Sequence, residues 1–247
     1  MAFLTEIVSQ VGGRRDNEDY CSFAVSGNTG CWVVADGLGG HCGGQLASRA
    51  AVDAVLDSFA RNAQISEQIL RSHLEAAQNA VVKLQGQQPV LSTMRTTIVV
   101  LIAEPTQALW AHIGDSRLYC FETGRLVFQT SDHSVVQRMV DAGELSSRQI
   151  RHHEDRNRLL RCLGNSDPDF RPTILPSPQP VSSGSAFLLC TDGFWEKVLE
   201  SEMVVDLAKA AGPSDWLTLM ENRLLERAAD GDDNYSGVAM MLDNKGP

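Results

Sequence analysis

Three strand-like runs in this sequence end within a residue or two of an aspartate: WVVADG reaches Asp36, LWAHIGDS reaches Asp115 and AFLLCTDG reaches Asp192. A fourth acid, Asp233, stands just before the apolar run SGVAMML, and RRDNEDYCSFAV places Glu18 and Asp19 at another strand start. In antiparallel pairing the C-terminal end of one strand lies beside the N-terminal end of its neighbour, so a suitable strand order would gather these acids at one edge. Carboxylates about 4–6 Å apart repel, and their pKa values rise unless a cation compensates. An oxygen-rich set without clustered thiolates or imidazoles suits a hard divalent ion, magnesium or manganese over zinc or copper. The backbone carbonyl of Gly37 can join such a set, and the small residues around it let a substrate approach. Singly, each aspartate is an ordinary turn former; their recurrence favours a metal site.

Other motifs compete less well. GLGGHCGG has the look of a phosphate-cradling loop, but a G-x-G-x-x-G begun at Gly37 needs glycine where Cys42 stands, and no G-K-[ST] follows. HCGGQLASR suggests a cysteine-dependent phosphatase, in which a thiolate and an arginine share one loop. Six residues separate Cys42 from Arg49, one too many, and one extra helical residue turns the arginine by about 100°. SDHS (131–134) holds serine, aspartate and histidine side by side, which suits a helix cap better than a triad whose members meet in space. DGDDN has no glutamate at the calcium-loop spacing. His73 in a helix and His112 in a strand read as structural, and the arginines at 148, 151, 156, 158 and 161 read as a solvated helix face.

The elements that must position these residues are legible from periodicity. Strands are expected at 3–10, 19–26, 30–36, 97–103, 107–114, 117–121, 125–129, 184–191 and 236–242. Helices are expected at 43–61, where Val52, Val55, Leu56 and Phe59 share a face, at 66–85, after Asp132, and at 200–211 and 214–229. Ser134 with Gln137 and Ser146 with Gln149 fit a capping-box spacing. Sheets with helices packed outside them are the implied class. The proline-rich stretch 171–184 reads as an irregular crossing, since a boundary there would leave too few residues for a second core. A single domain over 1–247 is expected.

Composition narrows the function. The 247 residues carry a formal charge of -10, which opposes nucleic acid and anionic membranes as partners. The longest apolar run, Ile98 to Ala103, falls far short of the ~18 residues that suggest a membrane span. With no signal-peptide pattern at the start, a cytoplasmic protein is expected. Six cysteines without C-x-x-C spacing are expected to be reduced thiols.

Taken in order, RRDNED, VVADGLGGH, Thr96–Thr97, IGDSR, SDHS, RNRLLRCLG, LCTDGFWE and DDNYSGV resemble the metal-dependent Ser/Thr protein phosphatases (PPM, or type 2C), especially their compact bacterial members. The resemblance spans residues 14 to 238. It implies an α+β fold of two antiparallel β-sheets packed as a sandwich flanked by helix pairs. It implies that Asp36 bridges two Mn2+ or Mg2+ ions, that Gly37 gives its carbonyl, and that Asp192 and Asp233 complete the ligands. Glu18 and Asp19 would act directly or through water, and Asp115 would hold a third, weaker metal with Glu196 as a candidate helper. Arg14 matches the arginine that clamps the substrate phosphate; Arg15 is out of register. His41 is the candidate for protonating the leaving serine or threonine oxygen, with metal-bound water as the alternative. The implied activity is hydrolysis of phosphoserine and phosphothreonine on proteins, reversing a Ser/Thr kinase, by a monomer. The alternatives are a cysteine-dependent phosphatase and an inactive phosphoprotein-binding module. Arg95 stands where the family usually has glycine and Ser236 where threonine is usual; neither is expected to touch a proposed ligand. The stretch 142–168 corresponds to a flap that varies within the family.

Overall fold

A strand buried on both faces needs apolar side chains at every position, and the runs around residues 33, 100 and 188 meet that requirement. In the computed structural model, which describes residues 2–39, 43–165 and 170–243, they form β3 (Thr29–Leu38), β5 (Ile98–Glu104) and β11 (Ala186–Cys190). The other long strands are β1 (Ala2–Gln10), β2 (Asp19–Ser26), β6 (Gln107–Ile113), β7 (Arg117–Glu122), β8 (Arg125–Gln129) and β12 (Tyr235–Asp243). One antiparallel sheet has the order β1-β12-β11-β7-β8. The second has the order β10-β6-β5-β3-β2, with β4 (Arg95–Thr96) beside β3 and β9 (Thr173–Ile174) beside β6; β10 is Gln179–Pro180.

Alternation along the strands divides the core into three layers. On β3, Cys31, Val33 and Ala35 face α1 (Gly43–Arg61) and α2 (Glu67–Gln85). Trp32 and Val34 face the other sheet and pack with Leu118, Phe187, Leu189, Val238 and Met240. Beyond that sheet, Tyr119, Phe121 and Leu188 pack against α4 (Asp192–Trp195), α5 (Glu200–Lys209) and α6 (Pro213–Glu226) through Trp195, Met203 and Trp216. The result is the expected sandwich of two sheets between helix pairs.

Local signals set the helix ends. Ser66 caps α2, its Oγ accepting the Ile69 N–H at 3.2 Å, and Ser134 caps α3 (Val135–Asp141) by accepting the Gln137 N–H at 3.1 Å. Removing such a cap costs about 1 kcal/mol, so Ser66→Ala is expected to lower Tm by roughly 2–4 °C. An unchanged thermal melt would show that the cap contributes nothing. The stretch 171–184 is less irregular than expected: two short strands within it extend the sheet beyond β6.

Candidate active site

At one end of the sandwich the apolar inter-sheet layer gives way to polar side chains of the same strand parity. The face that carries Trp32 and Val34 continues into Asp36, Val99 is preceded by Thr97, Leu118 by Ser116, Leu189 is followed by Thr191, and Val238 is preceded by Ser236. Asp19 pairs directly opposite Asp36 across β2 and β3. Like charges facing across a ladder are destabilising, so this pairing needs compensation. Hydroxyls from the opposite sheet provide part of it: Thr191 Oγ1 donates to Asp19 Oδ2 at 2.8 Å, and the Ser236 hydroxyl also bonds Asp19. Ser236 therefore does touch a proposed ligand, contrary to the expectation. The Asp36 N–H donates to Thr97 Oγ1 at 3.0 Å, while the Asp36 carbonyl accepts from Thr96 Oγ1 and the Thr97 N–H at 2.8 Å each.

Glu18 is fixed through its backbone as much as through its carboxylate. Its N–H donates to Asn234 Oδ1, its carbonyl accepts from Gly37 N–H and Ser48 Oγ, and its carboxylate accepts the Gly44 N–H at the start of α1. An anion is favoured at that helix end. The close approach demands glycine: a Cβ on Gly37 would lie 2.1 Å from the Gly44 carbonyl oxygen, and one on Gly44 would lie 2.6 Å from Glu18 Oε1.

Asp115 sits in the β6–β7 connection with its carbonyl held by Trp195 Nε1 at 3.0 Å, Asp192 opens α4, and Asp233 precedes β12. Together with Arg14, Glu18, Asp36 and Gly37 they line one cavity of 180 Å³. All four strand-end acids thus converge at one edge. Asp19 lies behind the cavity wall. Arg14 donates to Asp233 Oδ2 at 2.8 Å, and Arg156 to Glu196 Oε1 at 2.7 Å in the adjoining groove. His41 and Cys42 lie outside the described residues.

The electrostatics call for a cation. Burial, then Asp192 and the other acids, pushes Asp36 well above the carboxylate range; burial, then Asp115 and Glu196, does the same to Asp192. Asp19 and Asp115 are each pushed up to about 7, chiefly by burial, although hydroxyls partly offset the shift at Asp19. Burial also raises Glu18. Among the described residues, Asp36, Asp115 and Asp192 form no ion pair. The donors are all oxygens, which fits a hard divalent ion. No three His, Cys, Asp or Glu side chains among the described residues are gathered tightly enough to hold an ion unaided, so the fit is to an ion that keeps several waters, as magnesium does.

The competing motifs resolve structurally. His73 Nδ1 meets Ser58 Oγ, His112 stacks on His133 with ring centres 4.5 Å apart, and Asp132 forms a bidentate pair with buried Arg117. Five described cysteines are free, and burial pushes the thiols of Cys21 and Cys120 up to about 12 and Cys162 to about 11, with Cys31 and Cys190 also raised. Arg49 lies over the Tyr20 ring and 3.7 Å from Asp53. The arginine-rich stretch is not a solvated helix face. It is a short 3-10 turn (Ser147–His152) followed by irregular chain, in which Arg151 is buried against Glu200 and Arg156 holds Glu196. Three residues that the sequence offers only as members of longer motifs take specific parts here: Asn234 anchors Glu18, Asn157 lines the cavity and Thr97 holds Asp36.

Fold and site together define a class: α-β-β-α sandwiches whose inter-sheet layer ends in a carboxylate cluster. A family model described as Protein phosphatase 2C matches residues 13–229. The chain is 33% identical over 241 residues to the serine/threonine phosphatase stp of Listeria welshimeri, covering 88% of this chain and 94% of the relative. It is 32% identical over 207 residues to the protein phosphatase PhpP of Streptococcus pneumoniae, covering 80% and 81%. The crystal structure of the Mycobacterium tuberculosis serine/threonine phosphatase PstP/Ppp superposes with a TM-score of 0.83 at 25% identity, covering 99% of this chain and 100% of that one. The chain belongs to the protein phosphatase 2C family.

Proposed function

We propose that this protein hydrolyses phosphoserine and phosphothreonine on proteins in a reaction dependent on manganese or magnesium, with residues 1–247 acting as one catalytic domain. The observation that carries the reading is the convergence of Asp36, Asp115, Asp192 and Asp233 on one cavity, with no cation among the described residues paired to the first three. The names of the bacterial relatives, serine/threonine phosphatase stp and protein phosphatase PhpP, support the substrate class.

Asp36, the Gly37 carbonyl, Asp192 and Asp233 would hold two ions, with Glu18 and Asp19 contributing through water and Asp115 at a third, weaker position. Divalent ions in such a site activate water and neutralise phosphoryl charge. The chain's own groups do the rest. Arg14 spends one guanidinium nitrogen on Asp233 and keeps the remaining donors for the phosphoryl oxygens, a geometry that favours bidentate binding. Thr97 and Thr96 fix the Asp36 backbone, from which its carboxylate is presented. His41 is assigned to deliver the proton to the leaving oxygen. The natural substrates are proteins phosphorylated by a Ser/Thr kinase, met by a cytoplasmic monomer.

Phosphopeptide hydrolysis with manganese, then with a chelator, tests the reading; activity indifferent to chelation would overturn it. Losing a charge-assisted contact to phosphate costs about 1.5–3 kcal/mol, so Arg14→Ala is expected to lower kcat/KM by about 10- to 100-fold, mostly through KM. A change confined to the manganese requirement would reassign Arg14 to holding Asp233.

A further inference from the structure

The catalytic cavity adjoins a groove of 660 Å³ and shares Arg14, Asn157, Asp192 and Asp233 with it. The groove falls in the range of about 300–1,000 Å³ usual for ligand sites, whereas the cavity, at 180 Å³, is smaller and suits a phosphoryl group. Two features of the groove lining have no part in the carboxylate cluster. The first is apolar: Val11 and Leu225 line the groove and are 40% and 54% exposed. The second is electrostatic. Each cation of the lining already faces an acid, Arg14 with Asp233, Arg156 with Glu196 and Lys197 with Asp232. Arg227, at the root of the loop leading to Asp233, is spent on Glu202 at 2.7 Å. Apart from the cluster, Asp230 is the one charged groove residue that forms no ion pair among the described residues, and it is exposed. Its loop is fixed in place: Asp232 accepts the Ala229 N–H at 2.7 Å and pairs with Lys197, and the Gly13 N–H donates to the Asp232 carbonyl at 2.9 Å.

We propose that this groove holds the chain flanking the phosphorylated residue of a protein substrate, with Val11 and Leu225 seating an apolar side chain and Asp230 selecting a basic one. The inference rests on the phosphatase reading. A peptide whose phosphoryl group occupies the catalytic cavity must continue over a surface joined to it, and the four shared residues make that junction. An acidic flanking residue finds no free cation in the groove and meets the unpaired Asp230, whereas a lysine or arginine there gains a partner. Selection therefore works by repulsion as well as attraction. The chain's overall charge of -10 acts in the same direction.

Kinetics of the full manganese-loaded chain on phosphoserine peptides test it, with lysine or glutamate placed in turn at each position on either side of the phosphoserine. Each kcat/KM, taken at low ionic strength, is divided by that of the same variant on p-nitrophenyl phosphate, which has no flanking chain. Exposed charge pairs contribute modestly, so at the position that meets Asp230 lysine is expected to be favoured over glutamate about three- to fivefold. Asp230→Lys is expected to reverse that order. Leu225→Ser is expected to raise KM about threefold or more on a peptide with a flanking leucine, relative to p-nitrophenyl phosphate. Equal values for lysine and glutamate at every position, a preference that Asp230→Lys leaves in place, or a relative KM that Leu225→Ser leaves unchanged would overturn the proposal. Failure of the wild-type chain to hydrolyse even p-nitrophenyl phosphate would overturn the phosphatase reading itself, and this inference with it.

Discussion

Asp192→Ala is expected to lower kcat by about a thousandfold or more, because losing transition-state charge stabilisation of several kcal/mol costs a factor of ten per 1.36 kcal/mol. The same substitution is expected to stabilise the metal-free chain. Asp192 is forced well above its ordinary pKa by burial and by Asp115, Glu196, Asp233 and Asp19, so removing it relieves repulsion that only a cation otherwise relieves. Asp192→Asn should give the same pair of effects with the side-chain volume retained. Steady-state kinetics on a phosphopeptide and chemical denaturation in chelator check both halves. Cys42→Ser, by contrast, should leave most of the turnover. Loss of activity in Cys42→Ser with retention in Asp192→Ala would replace the metal reading by the cysteine one.

The metal-free chain is expected to lose stability as pH rises from about 5 to 8, the reverse of ordinary acid denaturation. Asp19 and Asp115 have an ordinary value of 3.8 and are pushed to about 7 in the fold, and Asp36 and Asp192 are pushed further. Between those values the folded chain binds more protons than the unfolded one, so the slope of unfolding free energy with pH is negative. Stability falls as pH climbs through the raised folded values. At the acid end the sign reverses: the Arg227 guanidinium holds Glu202 down at about 2, and that contribution disappears as pH drops below the ordinary glutamate value. Maximal metal-free stability should therefore lie near pH 5. The fall to pH 8 should amount to a few kcal/mol, or roughly 5–10 °C in Tm. Manganese should abolish it by favouring the ionised carboxylates. A metal-free melt that is flat or rising over this range would remove the case for uncompensated buried acids.

How much of this was readable beforehand depended on whether the information was local. Continuous apolar runs mark the strands around Val33, Val100 and Leu188, and the Ser134–Gln137 spacing marks a helix start through a cap that acts within three residues. The strand-end acids could be picked out because Asp36, Asp115 and Asp192 each close a buried strand or follow one within two residues, and Asp233 comes just before another. What could not be read were partners set by the packing of one sheet on the other. The bonds of Thr191 and Ser236 to Asp19 cross between sheets, and no spacing in the sequence announces them. The Asp19–Asp36 pairing needs the β2–β3 register. The arginines from 148 to 161 carried a composition signal for solvent, yet Arg151 and Arg156 are claimed by Glu200 and Glu196, more than forty positions away for the first and forty for the second.

The position of β12 in its sheet bears on how the protein is made. The last strand of the chain inserts between β1, the first, and β11, pairing with β1 over nine residues. Until it is synthesised, β1 has no neighbour in its sheet and β11 presents an open edge, the kind of surface that invites pairing with another chain. Asp233 stands just before that strand, so the carboxylate cluster is completed only when the segment that follows β11 and leads into β12 has left the ribosome. A chain terminated before β12 therefore carries most of the site and none of its closure, and the phosphatase gains competence only once that strand has been made.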